Sequence, residues 1–313
     1  VGKRSRGGQA VRERNAAEPP PAPAPLGAPV ADSHTHMDMQ TPDVAEIVAA
    51  AQAVNVTTLI QVGVDTASSR WGAETAAAHD RVWATVALHP NEAPRIWHGD
   101  GHPGVEADGT DWAGRARPPG GEAALSAALA EIDALAALPQ VVGVGETGLD
   151  YFRTGPEGVA AQQESFRAHI AIAKRHGLAL MIHDRDAHDD VFRLLDEEGA
   201  PDRTVFHCFS GDAAMARRCA DAGYYMSFAG NVTFASAQNL REAAAVAPAE
   251  LMLVETDAPF LTPRPHRGRP NAPYLIPLTL RALAEAKDMD PDELAAAIGA
   301  NTARAFALPG PVG

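Results

Sequence analysis

The chain has three lysines, two cysteines and no apolar run long enough to span a bilayer. Each scarcity removes a class of function. None of Lys3, Lys174 and Lys287 stands at the end of an apolar stretch, so Schiff-base chemistry, which needs an inward-facing amine, falls away. Cys208 and Cys219 are too few for a disulfide framework and fit a reducing cytoplasm. Positive charge is short as well. The 26 Lys and Arg residues against 40 Asp and Glu leave a formal −14, which argues against coating nucleic acid through a basic surface. It leaves room for an enzyme that grips one or two phosphates. A Gly-x-Gly-x-x-Gly pattern after the first apolar strand is missing too, which weakens an open dinucleotide-binding sheet.

What is present, from residue 30 onward, is an alternation of short Val/Ile/Leu-rich runs with Ala-rich helical stretches. The runs predict strands at Val30–His34, Thr57–Val62, Val82–Ala87, Val141–Gly145, Ala179–Ile182, Arg203–Phe206, Tyr224–Phe228 and Leu251–Val254. Helices are expected between them, among them Pro42–Ala53, Ala160–His176, Asp212–Ala222 and Pro291–Ala307, with Thr41 and Asp290 as N-caps of the first and last. Eight strand–helix units in about 280 residues match an α/β fold of the (β/α)₈ TIM-barrel type.

Two segments stand apart. Residues 1–29 carry five cations against two glutamates, then turn Pro/Ala-rich, and read as a disordered basic tail; no apolar segment follows the basic residues to make a secretory signal. Residues 309–313 form a short C-terminal tail. Between the third strand and its helix, Asn91–Gly121 is a Gly/Pro/Asp-rich insertion carrying Trp97, His98, His102 and Trp112. On a barrel it would sit over the catalytic face, either as a partial lid or as a surface excursion.

The candidate chemistry falls at the strand ends, where a barrel gathers its active site. His34 and His36 in Asp32-Ser33-His34-Thr35-His36 alternate along the first strand and so share a face. His89 follows strand three, Glu146 ends strand four, His183 strand five, His207 strand six, and Asp257 strand eight. His34, His36, Glu146, His183, His207 and Asp257 offer nitrogen and oxygen donors without thiolate, which suits one or two divalent ions such as Zn²⁺, Mn²⁺ or Mg²⁺. Such ions generate a nucleophilic water near neutral pH, with Asp257 placed to take its proton and Glu146 to bridge two ions. Asp32 and Glu255 share strand faces with these donors, as supporting partners or as buried structural residues. His79, His169, His176 and His188 fall in predicted helices and read as ordinary surface or packing residues.

These segments resemble the TatD-family metal-dependent deoxyribonucleases of the amidohydrolase superfamily. The likeness is carried by Asp32–His36, Leu88-His89-Pro90, Gly145-Glu146-Thr147-Gly148-Leu149-Asp150-Tyr151, Ile182–Ala187, His207-Cys208-Phe209-Ser210-Gly211, Glu255-Thr256-Asp257-Ala258-Pro259 and Asn301–Phe306. It runs from about Val30 to Phe306. The resemblance implies the same six metal-holding residues, a place for His89 near the substrate phosphate, and 3′-5′ exonuclease-type hydrolysis of DNA in the cytoplasm. Phosphotriesterase-like lactonases share the layout but bridge their metals with a carboxylated lysine, where this chain has Glu146. The chain departs from the family pattern at Met37, at Asn91 after His89-Pro90, and in the 91–121 insertion, which bears on substrate length and polarity.

The basic loop Arg264-Pro265-His266-Arg267-Gly268-Arg269 reads either as a phosphate dock through Arg267 and Arg269 or as a solvated turn. A small ester, amide or phosphoester hydrolysed on the same centre is the alternative to DNA, because barrels of this superfamily host many chemistries. The expected partner is substrate alone, with no membrane, and the expected state is a monomer, higher oligomers remaining open.

Overall fold

The computed structural model describes residues 18–99 and 119–308. Eight parallel strands follow one another in a single sheet: β1 (Val30–Thr35), β2 (Val56–Val62), β3 (Val82–Val86), β4 (Val141–Asp150), β5 (Ala179–Arg185), β6 (Thr204–Phe206), β7 (Tyr225–Phe228) and β8 (Met252–Val254). The ring closes just past β8. Thr35 bridges to Ala258, the His36 N–H donates to the Ala258 carbonyl (2.9 Å) and the Asp257 N–H to the His34 carbonyl (2.9 Å). The fold is the (β/α)₈ barrel that the strand spacing predicts.

Helices α1 (Val44–Gln52), α2 (Thr66–Ala78), α3 (Glu92–His98), α4 (Gly121–Ala136), α5 (Pro156–His176), α6 (His188–Glu198), α7 (Ala213–Asp221), α8 (Gln238–Val246), α9 (Ile276–Lys287) and α10 (Pro291–Ala305) lie between and after the strands. Asp290 caps α10 as expected, accepting from the Asp292 and Glu293 N–H groups, with Pro291 at the first helical position. The α1 cap is Asp43, not Thr41. Asp43 and Glu46 exchange side-chain and backbone hydrogen bonds in a capping box, which satisfies two orphan donors where a lone threonine serves one.

Six strands end within a residue of expectation, but β4 runs on to Asp150 and β5 to Arg185. Their polar ends lack the look of strand sequence, yet they pair with each other, Gly148 with His183 and Asp150 with Arg185. Two glycines permit this. A Cβ at Gly145 would strike Met181, and one at Gly148, where φ is +132°, would strike the His183 carbonyl. Glu146 is thereby held between them, tight against β5.

A small cluster from β2, β4, β5, β6 and β8 (Ile60, Val62, Val142, Ala179, Met181, Val205, Leu253), joined by Phe306, makes one apolar core. A larger one, including Leu59, Phe166, Phe206 and Leu280, joins the strands to the helices. Met181 reaches the functional end, its Sδ 3.1 Å from His34 Nδ1.

The expected disordered tail needs correction over residues 18–29. Leu26 is buried in the larger core, Gly27 N–H donates to Asp292 (2.7 Å), Tyr274 Oη to the Pro20 carbonyl (2.7 Å) and Arg281 to the Ala24 carbonyl (2.8 Å). Prolines have no N–H but expose their carbonyls along an extended chain, and these arginine and tyrosine donors use them. Of the insertion, Glu92–His98 forms α3, with Ala93, Pro94 and Ile96 buried. His102 and Trp112, and with them the lid reading, lie outside the described residues, as do residues 1–17 and the C-terminal tail 309–313.

Candidate metal centre

All six sequence-predicted donors meet at the C-terminal mouth of the barrel. His34 Nε2 and His36 Nε2 lie 3.1 Å apart. Glu146 Oε1 is 3.6 and 3.5 Å from these two nitrogens, and Asp257 Oδ1 likewise 3.6 and 3.5 Å. On its other oxygen, Glu146 Oε2 lies 3.0 Å from His183 Nδ1 and 2.9 Å from His207 Nε2, which are 3.4 Å from one another. Asp257 takes a left-handed φ of +53°, fixed by its N–H on the His34 carbonyl and its own carbonyl under the Phe260 N–H (2.8 Å).

The outward nitrogen of each imidazole has an acceptor. His36 Nδ1–H donates to the Val62 carbonyl (3.2 Å), His207 Nδ1–H to Glu255 Oε1 (3.1 Å) and His183 Nε2–H to Asp150 Oδ2 (3.3 Å), while His34 Nδ1 faces the Met181 sulfur. These bonds fix the tautomers, so the inward nitrogens present lone pairs to one another and to carboxylate oxygens. Lone pairs facing each other at 3.1 Å demand positive charge between them. A cation bonded at about 2.1 Å spaces its donors about 3.0 Å apart in an octahedron and about 3.4 Å in a tetrahedron. The observed 2.9–3.6 Å separations fit.

The electrostatics point the same way. Burial acts to lower His36, but the Asp257 hydrogen bond and the Glu146 charge outweigh it and raise it to about 9. His183 is likewise depressed by burial yet raised to about 9 by Asp150 and Glu146. Glu146, which burial alone would raise, is held well below the usual carboxylate range by His207, His89 and His183. The carboxylates therefore draw positive charge into the cluster, and a divalent ion meets the same demand. Glu255 Oε2, buried without a partner, adds to it.

His89 differs from these four. Its Nδ1 accepts the Asn91 N–H (3.0 Å), so its Nε2 carries the proton and points a donor into the site, 3.7 Å from Glu146 Oε2. Burial lowers it to about 3, which keeps it neutral. Asp32 proves structural. It accepts from the Thr256 N–H (2.9 Å) and hydroxyl and the His34 N–H, tying β1 to the end of β8, and burial raises it to about 7 against those bonds.

Asp150 received no role from the sequence, though its even offset from Glu146 along β4 is the signal that could have found it. Besides His183 it accepts from Arg153 N–H (2.9 Å) and Asn91 Nδ2 (3.1 Å), and Asn91 is held in turn by Thr154 and Gln162. The departure at residue 91 thus supplies a donor to the carboxylate behind His183. His169, read as an ordinary helical residue, is buried and accepts the Leu88 N–H on Nε2 (3.0 Å).

Around the centre opens a cavity of about 520 Å³, lined by His36, His89, Glu146, His183, His207 and Asp257, and by Arg95, Arg153 and Arg185. Arg267 and Arg269 are not among the lining residues. Arg267 lies over the Phe234 ring (4.2 Å), and Arg269 donates to the Glu18 and Pro19 carbonyls (2.9 and 2.6 Å). Arg267 and Arg269 are thus engaged by neighbouring protein, and the cations at the cavity come from α3, the turn after β4 and the end of β5.

A family model of TatD-related DNases matches residues 31–307. An uncharacterized metal-dependent hydrolase TatD of Mycobacterium tuberculosis is 44% identical over 285 residues, 88% of this chain and 97% of that protein. The 3′-5′ ssDNA/RNA exonuclease TatD of Citrobacter rodentium is 33% identical over 272 residues, 84% and 91% of the two chains. Among solved structures, the TatD homologue YjjV of Escherichia coli K12 superposes with a TM-score of 0.73 at 26% identity, covering 90% of this chain and 98% of that one. No helix among the described residues is long and apolar enough to cross a membrane. With the barrel, the converging donors and these likenesses together, the chain belongs to the TatD family and is a metal-dependent hydrolase.

Proposed function

We propose that the chain hydrolyses DNA phosphodiester bonds, removing nucleotides from a 3′ end. The observation that carries this reading is Glu146, whose two oxygens face two separate donor sets. His34, His36, Glu146 Oε1 and Asp257 would hold one divalent ion; Glu146 Oε2, His183 and His207 a second. Ions bound there supply a water of lowered pKa and neutralise charge growing on the phosphate oxygens. Asp257, part of the first set and open to the cavity, would accept the water's proton as its oxygen bonds to phosphorus, while the bond from phosphorus to the 3′-oxygen of the preceding nucleotide breaks and that oxygen leaves as the new 3′ end. The His89 Nε2–H donates to a phosphate oxygen, and its neutrality keeps that donor in place beside cations. Arg153 and Arg185, with Arg95 paired to Glu92 (3.4 Å), bring cations to the cavity of a −14 chain. The cavity suits a terminal nucleotide rather than a duplex. The free thiols of Cys208 and Cys219 fit a reducing compartment.

The test is digestion of end-labelled single- and double-stranded oligonucleotides by chelated protein, with Mg²⁺, Mn²⁺ or Zn²⁺ added back. Activity should vanish on chelation, return with metal, shorten strands from the 3′ end, and drop at least a hundredfold in Asp257→Ala. Undiminished digestion by chelated Asp257→Ala ends the proposal.

A further inference from the structure

Among the described residues, two large hydrophobic side chains are exposed, Leu138 and Phe152. Leu138 precedes β4, at the end of the barrel away from the site. Phe152 lies two residues past the C-terminal end of β4, at the catalytic rim, and is 59% exposed. Its setting is built. One face of the ring is covered by Arg185, whose guanidinium carbon sits 4.0 Å from the centroid. The Arg185 backbone is fixed, because it pairs with Asp150 of β4 and its carbonyl takes the Tyr151 N–H (2.9 Å). Tyr151 is turned the other way, its hydroxyl on Asp190 (2.8 Å). Both neighbours of the ring in charge, Arg153 and Arg185, line the metal-centre cavity. The result is an exposed aromatic face, itself outside the cavity lining, backed by a cation that belongs to that lining.

We propose that Phe152, stacked on Arg185, is a platform for an unpaired nucleobase adjoining the scissile phosphate, an inference that rests on the nuclease reading above. Every base has a π-face, so such a platform is indifferent to sequence but needs the base free of its own helix. A guanidinium on the far face strengthens the stack and meets the backbone charge that accompanies the base. A duplex end must fray before it can engage, so the platform selects single strands.

The experiment compares wild type, Phe152→Ala and Phe152→Trp with Mn²⁺ present, on a single-stranded oligonucleotide and on the same strand with abasic units at its two 3′-terminal positions. Phe152→Ala should raise KM on the intact strand about tenfold, Phe152→Trp should restore it, and abasic units should raise the wild-type KM by a similar factor. Because both changes delete the same stack, Phe152→Ala should add little on the abasic strand. A KM for Phe152→Ala within twofold of wild type, or losses that multiply to about a hundredfold, overturns the platform alone. Wild-type protein that leaves the intact strand undigested overturns the nuclease reading and the platform with it.

Discussion

The buried histidine on α5 gives a test of how the barrel sets its own catalytic rim. His169 accepts the Leu88 N–H on Nε2 and donates Nδ1–H to the Ser165 carbonyl (2.7 Å), so the neutral ring is fully used and a second proton would set N–H against N–H. Burial lowers it from 6.5 to about 4, against the Ser165 hydrogen bond. The sign follows from which state binds the proton first. Below about pH 6.5 the unfolded chain takes a proton that the folded one refuses, so stability is full above that pH and falls until about pH 4. Each pKa unit is about 1.4 kcal/mol, so this one group removes roughly 3 kcal/mol across the window and about 2 kcal/mol by pH 5. Many carboxylates titrate over the same range, so the quantity to measure is the difference between wild type and His169→Gln, in which the amide oxygen can still accept from Leu88. Urea unfolding at half-unit steps from pH 7.5 to 4.5 should show the wild-type advantage shrinking by more than 2 kcal/mol. A difference that stays flat within about 0.5 kcal/mol refutes the assignment of a neutral, obligatory acceptor. The loss also reaches the site, since Leu88 precedes the residue that points its N–H at the reacting centre.

Three further outcomes follow from particular contacts. Glu146→Gln should lower bound Mn²⁺ from two ions per chain to at most one, measured by elemental analysis after dialysis, because one oxygen in each donor set becomes an amide position or a neutral acceptor. Asp150→Asn should weaken metal binding about 10- to 100-fold in chelator competition while the barrel stays folded, since the amide is neutral and its single oxygen must serve the donors of His183, Asn91 and Arg153 that two carboxylate oxygens now share; unchanged affinity would sink the supporting role. Leu26→Ala should cost about 2–3 kcal/mol in chemical denaturation, near the low end for a buried leucine, and an effect under 0.5 kcal/mol would mean that residues 18–29 do not hold to the barrel in solution.

The sequence exposed the barrel and its six donors for a plain reason. Strands buried on both faces are continuous apolar runs, and a polar residue breaking such a run at its C-terminal end needs a purpose. Glu146, His183 and His207 each break one, while His34 and Asp257 follow shorter polar stretches begun by Asp32 and Glu255. What the sequence left open or passed over depends on long-range partners. Arg267 and Arg269 look free in a basic loop, and only the fold shows Phe234 and the Pro19 carbonyl beside them. The Pro/Ala segment looks uniform from Pro19 to Pro29, yet its single leucine is what the α10 end and Asn55 help to seat. His169 sits in helical periodicity like any packing residue, and its partner at Leu88 is 81 residues away.

Counting donors at strand ends also leaves a distinction that only the outer nitrogens resolve. In the sequence His89 is one more imidazole after an apolar strand, set apart from the six donors and placed near the substrate phosphate by the family resemblance alone. In the structure His34, His36, His183 and His207 each turn one nitrogen to Met181, Val62, Asp150 or Glu255 and keep the other bare, whereas His89 spends its bare nitrogen on the backbone of Asn91. The same ring chemistry thus makes four electron-pair donors and one proton donor, and the choice is made by whether the nearest fixed group is an acceptor or an N–H. A metal centre that must both hold cations and grip an anionic substrate needs both kinds. Moving the Asn91 N–H away from His89 would remove the only hydrogen bond among the described residues that assigns it to the second kind.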